Sequence, residues 1–221
     1  MSNIKILVEG PTEILFVNEV LKLHFYERGI YIKPFLFQKA GGIPKYSISQ
    51  KQILNTIRSD PSCFCTTMVD FYGMPTNWPD REQANRCQSY SEKADIVEGG
   101  ILKDIAGYLG NSFNLNRFIP YVQMHEFEAL LFSSPAKLAE SLGIEQSIPA
   151  FTVIRNEFSN PEEINDSYEK CPSRRIEGLF QGFKKISNGI SAASRIGLET
   201  MRQECPHFNE WITKLEDIGN Q

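Results

Sequence analysis

The 221-residue sequence has no CxxC pair, no HExxH and no GxxxxGK[ST] loop. Those absences exclude CxxC zinc or redox sites, zincin-type metalloproteases and a Walker A nucleotide site on this chain. The five cysteines (Cys63, Cys65, Cys87, Cys171 and Cys205) are odd in number and scattered, so they read as reduced thiols, partly core residues. No apolar run approaches the roughly 20 residues of a membrane span. The N-terminus shows no signal-peptide apolar segment. A cytoplasmic location and no membrane partner are therefore expected. Positive charge is not in excess, because the formal net charge is -4. Such a balance does not advertise nucleic-acid binding, although a local basic patch can act on an acidic protein. No repeat or low-complexity tract is present.

What is there is a chain with 41% hydrophobic residues and a mean hydropathy of -0.30, enough for one sizeable core or one core with a small appendage. Residues 4–8 (IKILV) read as a short buried strand. Pro11 suits the first turn of a helix, where its missing N–H costs nothing. Apolar residues at helical spacing run from Ile14 to about Arg28, and Gly29 ends them. Strands are expected at 30–38, with Pro34 marking an edge, at 63–70 and at 117–123. Helices are expected at 47–58, 93–109 and 135–142, with a long turn-rich loop at 71–90. This order predicts an α/β fold over residues 1–145, a mostly parallel sheet flanked by helices. Residues 146–221 read as a mainly helical C-terminal extension packed on it, with helical segments at 151–158, 174–183, 190–195 and 207–218.

In open parallel sheets, chemistry sits at the carboxyl ends of the strands. Glu9, Asp70 and Glu126 fall at or just past such ends, with Glu13 and Glu128 close by. Clustered carboxylates raise one another's pKa unless a cation neutralises them. Oxygen ligands of this kind suit Mg²⁺ or Mn²⁺ rather than zinc, and two such ions can drive phosphodiester cleavage. Each acid also has a plainer reading. Glu13 is favoured by the helix dipole near an N-terminus, and Asp70 can open a turn before Gly73. For the pair after strand 117–123, a continuing strand puts Glu126 and Glu128 on one face, whereas a helix pairs His125 with Glu128. Glu126 is the favoured ligand. His24 and His207 read as structural.

Glu9-Gly10-Pro11-Thr12-Glu13 is an EGxxE motif, and an acid follows the third strand. On these residues the chain resembles a Toprim domain, the metal-dependent phosphodiester fold of topoisomerases, primases and OLD-type nucleases. It is similar more closely to an uncharacterised bacterial Toprim-like family through VEGPTE, the Gly41-Gly42 loop, MVDFYGMP, FIPYVQMHEFEALLF and CPHFNEW, which together span most of the chain. The resemblance implies that Glu9 is a metal ligand or general acid/base, that Glu13 is the second acid of OLD-type motifs, and that Asp70 is the first aspartate of a DxD. The second aspartate position holds Tyr72, so one ligand is missing; either Glu126 or Glu128 replaces it from the neighbouring strand end, or the site binds one ion or none productively. A centre of one or two Mg or Mn ions acting on DNA or RNA is implied. A separate ABC/SMC-type ATPase in a bacterial defence module is implied as well, since this chain has no Walker A loop. A homodimer is a further expected partner.

Two surfaces could meet phosphate. Ala40-Gly41-Gly42, with Lys45 nearby, follows a strand and precedes a helix, where glycine lets backbone N–H groups approach an anion; a simple turn explains it equally. Residues 170–202 carry seven basic side chains, among them Arg174, Arg175 and Lys184, against Glu177 and Glu199. This is either a nucleic-acid footprint or a solvated helical face. His125 is a further candidate phosphate contact. Two rivals to a nuclease stand. One is a degenerate Toprim-like scaffold that binds without catalysis. The other is a receiver-like module with Asp70 as phosphoacceptor, which is poorly matched because Met74-Pro75 comes one residue late and Glu9-Gly10 replaces the acidic pair.

Overall fold

Alternation along the first strand sets the two faces of the sheet. Ile4, Ile6 and Val8 point into one apolar cluster and Leu7 into another, as a period of two requires. The computed structural model describes residues 2–38, 41–164, 167 and 169–220; Ala40 of the glycine loop lies outside them. Five strands form the sheet: β1 (Ser2–Val8), β2 (Ile30–Leu36), β3 (Cys63–Asp70), β4 (Phe118–Ile119) and β5 (Val122–Gln123). The order is β2-β1-β3-β4, with β5 also on β3, and every pairing is parallel. This is the mostly parallel, helix-flanked α/β architecture expected of a Toprim-like chain. β2 lies at the edge, so Pro34 sits where a missing N–H is tolerated.

α1 (Pro11–Phe16) runs through a π-helical turn (Val17–Leu21) into α2 (Lys22–Tyr26), where one unbroken helix was expected. α3 (Tyr46–Ser59) and α5 (Tyr90–Leu109) cover the Leu7 face with Ile53, Ile57, Val97 and Ile101. Within the loop between β3 and α5 is a short α4 (Arg81–Ala84). Trp78 anchors that loop by burial and by donating from Nε1 to the Pro44 carbonyl at 3.0 Å.

The predicted strand over 117–123 is two short strands. Thr66 donates from Oγ1 to the Ile119 carbonyl, and Thr67 both donates to the Tyr121 carbonyl and accepts from its N–H, each at 2.9 Å. These hydroxyls satisfy the backbone where Pro120 interrupts the ladder.

A 3₁₀ segment (Phe127–Ser133) follows, then α6 (Pro135–Leu142), α7 (Ile148–Asn156), α8 (Pro172–Leu179), α9 (Ile190–Ile196), α10 (Leu198–Glu204) and α11 (Pro206–Glu216). Their apolar faces join Ile6, Phe16 and Phe25 in a single cluster on the other side of the sheet. Trp211 of α11 stacks on Tyr121 with ring centroids 4.3 Å apart and donates to Thr66 Oγ1 at 2.9 Å. His207 stacks on Tyr121 as well, with ring centroids 4.9 Å apart, and bonds Glu98 at 2.9 Å. His24 bonds Glu216 at 2.6 Å and ties α2 to α11. Both histidines are thus held in structural contacts. Among the described residues no helix is long and apolar enough to cross a membrane.

Candidate metal centre

Parallel register delivers the first two acids to one end of the sheet. Val8 lies opposite Met68, so Glu9, just past β1, and Asp70, the last residue of β3, come to the same end of the sheet. The Asp70 N–H points at Glu9 Oε2, 3.5 Å away. Gly73 passes over Glu9, and a Cβ there would lie 3.5 Å from Glu9 Oε1. Asp70 also pairs with Gln123 of β5, which brings the chain that carries Glu126 and Glu128 to the same end.

Glu13 spends an oxygen on the local backbone, with the Gly10 N–H donating to its Oε2 at 2.8 Å. That is half of a capping box, and it holds the first turn of α1. A Cβ on Gly10 would stand 3.2 Å from that carboxylate, which explains the glycine between two acids.

Neither geometry considered for Glu126 and Glu128 is realised. Glu126 is extended and precedes the 3₁₀ segment, and Glu128 falls in its first turn. Both are buried, Glu128 to 1% exposure. Lys185 bridges them, its Nζ 3.4 Å from Glu126 Oε1 and 3.1 Å from Glu128 Oε2. The Ser173 N–H, at the start of α8, donates to Glu126 Oε2 at 3.0 Å. Glu128 Oε1 is buried with no hydrogen-bond partner.

The electrostatics separate these acids. Burial pushes Asp70 well above the usual carboxylate range, and the charges of Glu9, Glu13, Glu128 and Glu126 push it further. Burial likewise raises Glu9 and Glu13. Burial raises Glu128 to about 7 against the pull of Lys185. Glu126 moves the other way: despite its burial, Lys185 and the Ser173 contacts hold it below its ordinary value. Lys185 is raised, because its carboxylate neighbours outweigh its desolvation.

A family model described as Domain of unknown function (DUF4276) matches residues 8–216. The chain belongs to this family. Among solved structures, the C-terminal region of the Xanthomonas campestris pv. campestris OLD protein is similar over 100% of this chain and 97% of that one, at 15% identity and a TM-score of 0.43. No curated protein matches. The family description names no activity, so the chemistry of this DUF4276 chain is argued from its own side chains.

The donor set is all oxygen, which fits a hard cation such as Mg²⁺ or Mn²⁺, and the partnerless Glu128 Oε1 is an acceptor in need of one. Among the described residues, however, no group of three or more His, Cys, Asp or Glu side chains stands in metal-holding geometry. Glu9, Glu13 and Asp70 are the acids of this cluster without a cationic side chain at ion-pair distance among the described contacts, and of these Glu13 is held by the Gly10 N–H.

The other candidate residues are more dispersed. Gly41 and Gly42 have φ of 77° and 82°, a left-handed conformation that favours glycine. Gly41 lies against the Glu9 carbonyl and Pro11, and Gln38 Nε2 donates to both glycine carbonyls. Lys45 is exposed at the start of α3. His125 is buried, its ring edge-on to Phe71 and its carbonyl accepting from the Tyr72 N–H at 3.0 Å. Arg174 pairs with Glu177 at 2.6 Å and Arg175 with Glu157 at 3.0 Å. Arg195 pairs with Glu140 and Arg202 with Glu216. The basic run is thus largely committed to carboxylates, most of them distant in sequence. Lys184 is exposed, and it is the next residue, Lys185, that reaches the acids. Sequence reasoning missed Lys185 because nothing in a Lys-Lys pair at the start of a π-helical turn says which ammonium faces inward.

Proposed function

We propose that this chain is a Toprim-like, divalent-cation-dependent nuclease whose centre lies at the carboxyl ends of β1 and β3. The observation that carries the reading is Asp70. It is driven far up by burial and by four neighbouring acids, and it shares a strand-end position with Glu9. A protein that keeps unneutralised acids together at the usual site of chemistry in a parallel sheet has a use for a cation there. Glu9 and Asp70 would hold one Mg²⁺ or Mn²⁺. When bound, the ion supplies Lewis acidity toward a phosphoryl oxygen and a more acidic water. Glu9, raised by burial, holds a proton more readily than a free carboxylate, which suits a general acid or base. Glu13 positions the turn that presents Glu9, through its bond to Gly10. Lys185 keeps Glu126 and Glu128 ordered beside the pair. The substrate would be a DNA or RNA phosphodiester, and an ABC/SMC-type ATPase on a separate chain would be the partner.

A second reading, a binding scaffold without catalysis, is favoured by Tyr72 at the second aspartate position and by the lack, among the described residues, of three acids in metal-holding geometry. Incubation with plasmid, single-stranded DNA and RNA, in Mn²⁺ or in EDTA, tests both. Cleavage that needs Mn²⁺ and is lost in Glu9→Gln and Asp70→Asn is the expected outcome. No cleavage together with Mn²⁺ affinity unchanged in those variants would remove the centre altogether. Mn²⁺ binding that the variants abolish, without cleavage, would favour the scaffold or a required partner.

A further inference from the structure

The two halves of the acid cluster are treated differently by the chain. Among the described contacts the Glu9 carboxylate meets only the Asp70 N–H, at 3.5 Å, and neither Glu9 nor Asp70 has a cationic side chain at ion-pair distance. Glu126 and Glu128 meet an ammonium carried by the protein itself. That ammonium comes from the first residue of the π-helical turn Lys185–Gly189, which packs against the 3₁₀ segment bearing Glu128. The Ser173 N–H takes the second oxygen of Glu126, and Glu128 Oε1 stays buried without a partner. A point charge with three donors can reach two carboxylates at once. It occupies the same kind of hard oxygen donors that a divalent ion needs. A divalent ion and this ammonium cannot share the oxygens facing Lys185, because like charges at contact distance repel strongly in a partly buried site.

We propose that Lys185 is the resident cation of the Glu126–Glu128 half, so that this half takes no divalent ion while the lysine is present and gains one Mg²⁺ or Mn²⁺ site when it is removed. The inference rests on reading the acid cluster as a cation centre, and it narrows that reading to a single ion at Glu9 and Asp70. It also gives Lys185 a role beyond an ion pair. A merely structural salt bridge would leave no metal site behind it, since its loss would be met by protonation or collapse of the two glutamates.

Calorimetric and paramagnetic Mn²⁺ titrations of the full chain test this, using wild type, Lys185→Met, Lys185→Gln and the double variant Lys185→Met/Glu128→Gln. Lys185→Met and Lys185→Gln are expected to bind one more Mn²⁺ than wild type, and the double variant is expected to lose that added site. An unchanged ion count in folded Lys185→Met and Lys185→Gln overturns the proposal. The wild-type count reports separately on the parent reading: no ion in wild type removes the Glu9–Asp70 site, whereas the gain on removing Lys185 still decides the role of the lysine. Should neither neutral variant fold by circular dichroism, the wild-type ammonium decides. With ¹⁵N-labelled lysine, assigned with Lys185→Arg, its resonance should stay unmoved at saturating Mg²⁺. Displacement of Lys185 by Mg²⁺ would overturn the proposal.

Discussion

Replacing Glu128 by glutamine should change how stability depends on pH, and the sign follows from the site. Burial is the main cause that carries Glu128 from its ordinary 4.5 to about 7. The folded state therefore holds this proton more tightly than the unfolded chain does. The stability that Glu128 contributes is fully present below its unfolded value and is lost as pH rises through about 7. Moving a carboxyl from 4.5 to about 7 corresponds to about 3 kcal/mol between the two ends of that window. Glutamine resembles the protonated acid in shape and carries no proton to lose. At about pH 5 variant and wild type should be close, and by about pH 8 Glu128→Gln should have gained up to about 3 kcal/mol on wild type. Urea unfolding in EDTA across that range reads the difference, with the metal question removed. Glu126→Gln is the internal control, because Glu126 is held below its ordinary value. Its contribution is present above the unfolded value and lost as pH falls, so that variant should lose stability on the neutral side instead of gaining it. A gap between wild type and Glu128→Gln that is the same at both ends of the window would refute the burial argument.

Glu162 is fully buried and accepts from the His207 and Phe208 N–H groups at 2.9 and 3.0 Å, capping α11. Glu162→Ala leaves both donors without an acceptor and should cost about 3 kcal/mol in urea unfolding; a loss under about 1 kcal/mol would mean that water reaches the helix end. Adjacent glycines of α5 should answer oppositely to alanine. A Cβ on Gly99 meets nothing within 4 Å, whereas one on Gly100 would lie 2.6 Å from Asp80 Oδ2. Gly99→Ala should therefore raise the melting temperature by the helix-propensity gain of up to about 1 kcal/mol, and Gly100→Ala should lower it through overpacking of about 1–3 kcal/mol. Equal responses would mean that the Asp80 loop yields freely.

The half of the site built on local pattern was legible in the sequence. The short apolar run IKILV marked the first strand, the CFCTTMVD run marked β3, and the parallel order then put Glu9 and Asp70 at one end. Pro34 marked the edge for a reason visible in one residue, its missing N–H. What stayed hidden depends on contacts between distant segments. The break between β4 and β5 is fixed by Thr66 and Thr67, more than fifty residues upstream, through hydroxyls that read in sequence as ordinary strand positions. The basic run lost its free charge to Glu140, Glu157 and Glu216, none of which lies within it. The start of α8, a natural place to expect an anion, is met by Glu126 from the same chain.

Charge balance ties these observations to function. Around one ammonium the fold gathers Glu9, Glu13, Asp70, Glu126 and Glu128. It meets part of that demand with its own groups: the Gly10 N–H for Glu13, the Ser173 N–H for Glu126, and Lys185 for Glu126 and Glu128. Among the described contacts Glu9 has only the Asp70 N–H and the more distant charge of Lys185, and the Asp70 carboxylate is left to a proton or an outside cation. Protonation is what raised pKa values register, and it carries a cost, because an acid kept among like charges destabilises the fold that holds it. Asparagine at position 70 would fill nearly the same space without that cost. Under the proposed reading, a centre that exchanges those protons for Mg²⁺ or Mn²⁺ recovers the cost on binding. Tyr72 removes a ligand from the neighbourhood of Asp70, and Lys185 removes the need for one beside Glu126 and Glu128. Under the proposed reading the two departures from a two-ion site compensate each other, and they converge on one ion.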